Sequence, residues 1–212
     1  MDLMLNTLKA GLPQLGLELS DETCEKLCAF GAAVVKQNEV MNLTAITEPA
    51  QVAKLHLLDS LTVLTCADLK GRSLIDVGCG AGFPGVPTAI ACPEAKVTLL
   101  DSLAKRVNWL DTILPELGVS NTTCVTARAE EAVTACREKY DVIFLDPPYQ
   151  SDLLERSIQI ITKFDILNEH DIIVCESALD KVLPALEEPY SWGKEYRYGK
   201  IKLTVCRRAG AR

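Results

Sequence analysis

Three glycines and two aspartates have the types and spacing of a nucleotide-binding site. The glycines alternate with other residues directly after an apolar run and an acid: Asp76, Gly78, Gly80 and Gly82. Glycines allow the backbone to turn sharply and leave no side chain between the backbone and a ligand. A second apolar run ends in Asp101, about 20 residues further on, where nucleotide sites place the carboxylate that accepts from ribose hydroxyls. The sequence therefore predicts a ligand site at the ends of two neighbouring strands.

The glycine spacing distinguishes two kinds of nucleotide site. A dinucleotide site has its third glycine three residues after its second, whereas Gly82 follows Gly80 by two residues. The pattern D-x-G-x-G-x-G instead resembles the first motif of the S-adenosylmethionine-dependent methyltransferases. That resemblance implies S-adenosylmethionine as the cofactor, with Asp101 at the ribose. Asp76 is expected to orient the turn and to reach the ammonium of the cofactor through water. The alternative is an ordinary glycine-rich turn, which the position of Asp101 disfavours.

A second candidate site, Asp146-Pro147-Pro148-Tyr149, directly follows the apolar run 142–145. It resembles the motif of methyltransferases that act on exocyclic amines of bases. A carboxylate and a backbone carbonyl can accept the two N–H groups of such an amine and draw its nitrogen towards tetrahedral geometry. The prolines fix the turn, and Tyr149 can stack on a base taken out of its helix. The alternative is a Pro-Pro turn at the end of a strand.

Residues 1–68 have the apolar spacing of helices and are predicted to form an N-terminal helical extension. Ser20 is the expected N-cap of one helix, and Glu48-Pro49 begins another. The second helix is expected to place four residues on one apolar face: Val52, Leu55, Leu58 and Leu61. We expect this extension to cover one side of a sheet, a role that does not exclude substrate contact.

Residues 69–212 alternate apolar runs with helical stretches, which predicts βαβ units. The predicted strands are 74–77, 97–100, 122–126, 142–145, 172–175, 194–198 and 200–207. The predicted helices are 84–92, 103–117, 129–138, 151–164 and 178–187. Gly199 alone separates the last two strands, so they must form an antiparallel hairpin. The fold prediction is a doubly wound α/β, Rossmann-like methyltransferase domain with a seven-stranded, mostly parallel sheet.

The composition favours a cytoplasmic protein with a buried core. Of the 212 residues, 48% are apolar, yet no apolar run approaches the ~20 residues of a membrane span. The sequence from Met1 to Met4 lacks the basic region of a signal peptide. The nine cysteines are scattered without a C-x-x-C pair and are expected to be reduced thiols, and no metal site is expected.

The charge is acidic overall but basic near one end. The net charge of −7 argues against a generic nucleic-acid binder, whereas residues 194–212 carry seven basic side chains and one acid. A local basic patch therefore keeps an RNA partner possible. The candidate RNA-binding residues are Lys105, Arg106, Lys200, Lys202, Arg207 and Arg208. For Lys105 and Arg106, a solvated helix face is the alternative.

Residues 1–132 resemble methyltransferase G of the small-subunit ribosomal RNA, also called glucose-inhibited division protein B. The motifs that carry this resemblance are 42–46, 56–61, 76–85 and 99–106, which read NLTAI, HLLDSL, DVGCGAGFPG and LLDSLAKR. The resemblance implies methyl transfer to a guanine N7. It also implies cofactor contacts by Gly78, Phe83, Ala129 and Glu130, although Glu130 also suits the first turn of a helix.

From residue 140 onward, the sequence resembles methyltransferase D of the same RNA, which methylates a guanine N2. The motifs that carry this resemblance are 144–149, 167–169, 174–176 and 198–200. The chain therefore reads as a fusion of two families joined near 132–140. Both halves imply a small-subunit ribosomal RNA guanine as substrate, in naked RNA or in the assembling subunit. Asp146 favours N2; the alternatives are N7 methylation and a cofactor-binding assembly factor without turnover.

Overall fold

The computed structural model describes residues 2–128, 139–146, 152–164, 166–198 and 201–208. A helical layer comes first, as the sequence predicted. It consists of α1 (Asp2–Gly11), a 3-10 turn (Leu12–Leu15), α2 (Asp21–Met41), α3 (Pro49–Val52), a π-helical turn (Ala53–Leu58), α4 (Asp59–Leu61) and α5 (Val63–Cys66). The predicted division into an extension and a domain at residue 68 stays a prediction.

Both predicted helix starts are confirmed. The Ser20 hydroxyl accepts a hydrogen bond from the Thr23 backbone N–H at 3.1 Å, which caps α2. The Glu48 carboxylate accepts from the backbone N–H groups of Ala50 and Gln51 at 3.1 and 2.9 Å, which caps α3. Such caps satisfy donors that the first helical turn leaves without partners, and each is worth ~1 kcal/mol.

The predicted apolar face of the next helix is wrong at one position. Val52 and Leu61 are fully buried, but Leu55 is 54% exposed, and Ala53 and Leu57 are buried instead. The reason is the π-helical turn Ala53–Leu58. Its i→i+5 bonding places more residues in a turn than an α-helix does, so side chains after Val52 leave the α-helical periodicity.

The sheet has seven strands and the predicted mostly parallel topology. The strands are β1 (Ser73–Val77), β2 (Lys96–Asp101), β3 (Thr122–Thr126), β4 (Tyr140–Leu145), β5 (Leu167–Ala178), β6 (Tyr190–Tyr198) and β7 (Ile201–Arg208). Their spatial order is β3-β2-β1-β4-β5-β7-β6. The first five strands pair in parallel, and β7 pairs antiparallel with both β5 and β6. The predicted C-terminal hairpin is therefore confirmed.

Two hydrophobic clusters cover the two faces of the sheet. On one face, Val142 and Phe144 of β4 pack with the N-terminal helices, α6 (Gly85–Ala91) and α7 (Ala104–Glu116). On the other face, Ile143 and Leu145 pack with α8 (Leu153–Phe164). Because successive strand residues point to opposite faces, a strand buried on both sides reads as the continuous apolar run seen in the sequence.

The helix predicted at 178–187 is absent. Residues 179–189 form turns and irregular backbone, and β5 continues to Ala178. Pro184 lacks the N–H that a helix interior needs, and its carbonyl accepts from the Trp192 indole at 2.7 Å. Val182 is consequently 85% exposed. The predicted helix at 129–138 lies outside the described residues.

Most cysteines in the described part of the chain are buried. Each cysteine described there is a free thiol, and Cys175 and Cys206 are fully buried. Burial raises the pKa of Cys206 to about 12, so this thiol stays protonated and inert near neutral pH. Among the described helices, none combines the length and apolar character that crossing a membrane requires.

Candidate functional site

The carboxyl ends of β1, β2 and β4 bring the predicted site residues to one edge of the sheet. Val77 of β1 lies between Leu100 of β2 and Leu145 of β4 in the register. The glycine turn, Asp101 and Asp146 directly follow these three positions and are therefore neighbours. Ligands of doubly wound sheets bind at this edge, where the strand order reverses.

The glycine turn has a backbone that only glycine adopts easily. The φ angles of Gly78, Gly80 and Gly82 are +86°, +55° and +99°. The Gly78 N–H donates to the Leu100 carbonyl at 2.7 Å, which ties the turn to β2. A Cβ on Gly82 would meet Val86 at 2.8 Å, whereas a Cβ on Gly80 would meet no atom closer than 3.8 Å. Gly82 thus serves packing, and Gly80 presents backbone to open space.

Asp76 is hydrogen-bonded to the residue that begins the helix after the glycine turn. It is only 1% exposed, and its Oδ2 accepts from the Gly85 N–H at 2.8 Å. This bond holds the start of α6 against β1. Burial raises the pKa of Asp76 well above its ordinary value, and Asp146 and Asp101 nearby raise it further, although the Gly85 bond opposes the rise.

Asp101 connects the two neighbouring loops. Its Oδ2 accepts from the Gly80 N–H at 2.9 Å, and its Oδ1 accepts from the Leu103 N–H at 2.8 Å. The Arg106 guanidinium lies 3.7 Å from the same Oδ2. The carboxylate is therefore fixed in position beside the open space at Gly80. Its proposed contact with ribose hydroxyls stays a prediction.

His56 from the helical layer stacks on Phe83 of the glycine turn. Their ring centroids are 4.5 Å apart and their planes differ by 10°. Thr44 holds the imidazole through a 2.7 Å hydrogen bond to Nε2, and the Asn38 side chain accepts from the Thr44 backbone N–H at 2.8 Å. Burial lowers the pKa of His56, which favours the neutral ring. The loop after α2 thus positions His56 against the predicted cofactor residue Phe83.

Three carboxyl groups meet beside this stack. Asp59 of α4, Asp146 after β4 and Glu176 of β5 line a small cavity of about 60 Å³, together with His56 and Phe83. Sequence reasoning had given no role to His56, Asp59 or Glu176, although His56 and Asp59 belong to the motif 56–61 and Glu176 to the motif 174–176. No local spacing links residues so far apart in the chain, so only the fold reveals the cluster.

Two carboxyl groups of this cluster, Asp59 and Asp146, hold protons more tightly than isolated carboxyls do. Burial, followed by repulsion from Glu176, raises the pKa of Asp59 to about 7. Desolvation by the surrounding protein, followed by repulsion from Glu176 and Asp59, raises the pKa of Asp146 to about 8. Part of the Asp146 side chain is nevertheless exposed to solvent. Like charges that cannot all ionise together share protons. At neutral pH the cluster therefore presents both acceptors and donors.

Five predicted site residues lie outside the described residues: Pro147, Pro148, Tyr149, Ala129 and Glu130. Of the predicted RNA-binding residues, Lys200 also lies outside them. Lys202 is 8% exposed and its ammonium lies 3.2 Å from a Glu195 carboxylate oxygen, so little of it reaches solvent. Arg207 is exposed, and the Arg208 guanidinium lies 5.6 Å from the Tyr190 ring centroid.

Lys105 and Arg106 lie in the first turn of α7, at the cofactor edge. Lys105 is exposed and donates to the Val40 carbonyl at 3.4 Å. Arg106 faces Asp101. Within the described ranges, no group of three or more His, Cys, Asp or Glu side chains could hold a metal ion.

Comparisons with known proteins identify the family. The model of the family described as rRNA small subunit methyltransferase G matches residues 23–145. This match is more than half of the chain and contains the glycine turn and Asp101. The chain belongs to this family. The match continues through β4 to residue 145, past residue 132, where the resemblance had been expected to end.

Individual relatives agree with the family match. The ribosomal RNA small subunit methyltransferase G of Clostridium botulinum (strain Eklund 17B / Type B) is 44% identical over 131 residues, which are 60% of this chain and 55% of that protein. That of Coxiella burnetii (strain RSA 331 / Henzerling II) is 45% identical over 125 residues, which are 59% of this chain and 60% of that protein. The chain thus spans just over half the length of the curated relatives it matches.

A solved structure supports the fold independently. The mitomycin 7-O-methyltransferase MmcR has a TM-score of 0.59 with this chain at 14% identity, and the superposition covers 86% of this chain and 60% of that one. Identity this low shows the fold alone. The class I methyltransferase fold predicted from the sequence is therefore confirmed.

Proposed function

We propose that the chain is an S-adenosylmethionine-dependent methyltransferase that modifies a guanine of small-subunit ribosomal RNA. The observation that carries this proposal is the junction of the glycine turn with Asp101 and Asp146 at adjacent strand ends, in a chain of the methyltransferase G family. The glycine turn and Asp101 form the cofactor half of the site, and Asp146 with Asp59 and Glu176 forms the acidic half. The two halves meet at this junction, as methyl transfer between two bound molecules requires.

The residues present fit the cofactor. Gly80 leaves open space at the backbone, where a larger side chain would project. Asp101 uses one acceptor position on each oxygen for Gly80 and Leu103, and a carboxylate offers about four such positions, so two remain for ribose hydroxyls. Ala129 and Glu130 are proposed at the adenine by resemblance. Bound S-adenosylmethionine would supply the electrophilic methyl group.

The acidic half favours the exocyclic N2 of guanine as the accepting atom. That amine has two N–H donors and a delocalised lone pair, so it needs acceptors that hold it in place. Asp146 supplies one acceptor, and the Pro147 carbonyl is the proposed second. Pro148 fixes the turn and Tyr149 stacks on the base in this proposal. The N2 proposal rests in addition on the resemblance of residues 140–207 to methyltransferase D. It therefore includes the proposal that the chain is a fusion of two families.

A second candidate, the ring N7, is favoured by two specific observations. The family of the chain is methyltransferase G, for which the resemblance implies N7. The raised pKa of Asp146 also means that this carboxyl carries a proton through much of the neutral range. A protonated carboxyl donates, so it can bind the guanine O6 beside N7 without placing acceptor against acceptor.

RNA binding in this proposal relies on local basic groups within an acidic chain. Lys105, Arg106, Arg207 and Arg208 supply cations, Lys200 is added from the sequence, and Lys202 contributes less because Glu195 holds it. Contacts to phosphates release counterions, so affinity should fall as salt increases. The alternative without turnover, a cofactor-binding assembly factor on the small subunit, would bind cofactor and RNA but transfer no methyl group.

One experiment tests the function and separates these candidates. The chain is incubated with small ribosomal subunits and S-adenosylmethionine, and the RNA is digested to nucleosides and compared with N2- and N7-methylguanosine standards. We expect N2-methylguanosine from the parent. The rate for Asp146→Asn should be at least ~100-fold lower, because this variant loses the carboxylate that accepts the N–H of the amine. The exposed Asp111→Asn is the matched control.

Two other outcomes would contradict the N2 proposal. N7-methylguanosine from the parent, undiminished in Asp146→Asn, would establish the second candidate and remove the role given to Asp146. Cofactor binding by the parent with no methylated nucleoside in the subunit RNA would favour the assembly factor.

A further inference from the structure

A second, larger cleft lies between the helical layer and the end of β6. Its volume is about 700 Å³, within the range of sites that take a ligand of several rings. Residues of α1, the 3-10 turn, the π-helical turn and α4 line it, together with Tyr198 at the end of β6. The polar side chains along it include Asn6, Thr7, Gln14, Lys54, Thr62 and Tyr198.

The cleft adjoins the three-carboxyl cavity through one residue. Asp59 lines both spaces. The π-helical turn just before it also serves both: Lys54 and Leu58 line the cleft, and Leu55 and His56 line the cavity. Successive residues of a helical turn point in different directions, so one turn can line two spaces. The two spaces are therefore adjacent parts of one surface.

The chemistry of the lining matches nucleic acid more closely than protein. Lysine, threonine, asparagine, glutamine and tyrosine are among the side chains that bind phosphate and sugar oxygens of nucleic acids. A protein interface would instead have an apolar, aromatic centre, whereas the apolar lining described here comes from Ala10, Leu15 and Leu58. Tyr198 is half-buried, and its hydroxyl lies 3.0 Å from the Thr65 Oγ1, so its ring is held in place for stacking.

We propose that this cleft binds the single-stranded RNA that flanks the target guanine, and that Asp59 marks the point where the guanine turns into the active site. The inference rests on the proposed function, since it names the path by which that substrate reaches Asp146. Recognition of RNA in single strands, with bases stacked on aromatic rings, is the usual route to a chosen nucleotide.

The first test fills the cleft. Ala10 is exposed on α1 and lines the cleft, so Ala10→Trp places a ring there without burying it. Leu3→Trp is the matched control, because Leu3 is 56% exposed on the same helix and is not part of the lining. Methyl transfer to small ribosomal subunits should show a KM raised about tenfold for Ala10→Trp, with S-adenosylmethionine affinity unchanged. Equal KM values for the two variants would overturn the cleft assignment.

The second test identifies the occupant. Gln14→benzoylphenylalanine in the full chain is irradiated with small ribosomal subunits, and the adduct is analysed by mass spectrometry. An adduct with ribosomal RNA supports the proposal, whereas an adduct with a ribosomal protein, or none, overturns it. A parent that transfers no methyl group to the subunits would refute the proposed function instead, and the crosslink would still report on the cleft.

Discussion

The carboxyl groups on the two sides of the site behave differently. On the cofactor side, Asp76 and Asp101 accept hydrogen bonds from backbone N–H groups of their own loops. On the target side, Asp59, Asp146 and Glu176 surround a cavity and repel one another. A carboxylate with backbone donors fixes a loop before any ligand arrives. Ionising a carboxyl beside other carboxyls is unfavourable, and N–H groups of a ligand can reduce that repulsion by donating hydrogen bonds.

The largest expected effect tests the cofactor side. Asp101→Ala removes a charged acceptor from both the ribose and the Gly80 N–H, so S-adenosylmethionine affinity should fall by ~10- to 150-fold, or ~1.5–3 kcal/mol. Calorimetric titration measures the Kd, and Asp111→Ala is the control because Asp111 is exposed on α7. If Asp101→Ala binds as tightly as the parent, the ribose site lies elsewhere and the comparison fails on this side.

An intermediate effect tests the target side. If ionised Asp146 accepts from the amine, the methylation rate should rise as pH increases through about 8, the pKa to which its surroundings raise this carboxyl. Glu176→Gln removes the repulsion that contributes to this rise, so the same increase should occur at lower pH. The pH–rate profiles of the parent, Glu176→Gln and the exposed control Glu187→Gln decide the point.

A rate that falls as pH passes 8 would mean the opposite chemistry. Protonated Asp146 would then act as a donor, and the N7 candidate would replace N2. Superimposable profiles for the parent and Glu176→Gln would show that these two carboxyls are not coupled during the reaction.

The smallest effect concerns stability. The pKa of Asp59 is raised to about 7 in the folded protein, so the fold prefers its protonated form. The stabilisation is complete below the ordinary pKa of an aspartate, about 4, and is lost as pH rises through about 7. Asp59→Asn cannot ionise, so its stability relative to the parent should improve from about pH 5 to about pH 8.

Urea unfolding at those two pH values measures this change. Asp111→Asn serves as the control, because an exposed carboxyl should give the same difference from the parent at both pH values. If Asp59→Asn shows no more pH dependence than this control, the target-side carboxyls carry no such cost, and the difference between the two sides disappears.

Local patterns in the sequence predicted the sheet and the cofactor side. Apolar runs indicated β1, β2, β4 and β5 because strands buried on both faces have no alternation. The turn at Gly78, Gly80 and Gly82 could be predicted because positive φ angles favour glycine. Asp101 could be placed because it ends the neighbouring strand, and parallel strands share a carboxyl edge.

Periodicity failed where a proline or an irregular helical turn overrides it. The helix predicted at 178–187 gave way to irregular backbone, since Pro184 lacks an N–H and Trp192 binds its carbonyl. Leu55 was expected inside and is exposed, because the π-helical turn changes the angular spacing of side chains. In both segments the apolar residues of the sequence still have helical spacing. That spacing alone therefore could not reveal the irregular backbone or the π-helical turn.

The sequence by itself determined the fold class, the glycine turn and the strand-end acids, because each depends on residues within one or two neighbouring elements. On the target side, Asp146 was predicted from the sequence, but its carboxyl neighbours were decided by tertiary structure alone. Asp59 comes from the helical layer and Glu176 from β5, and only packing of that layer over the sheet brings both to Asp146. The raised pKa values of Asp59 and Asp146 follow from that packing, since burial and mutual repulsion are properties of the assembled site and not of any segment.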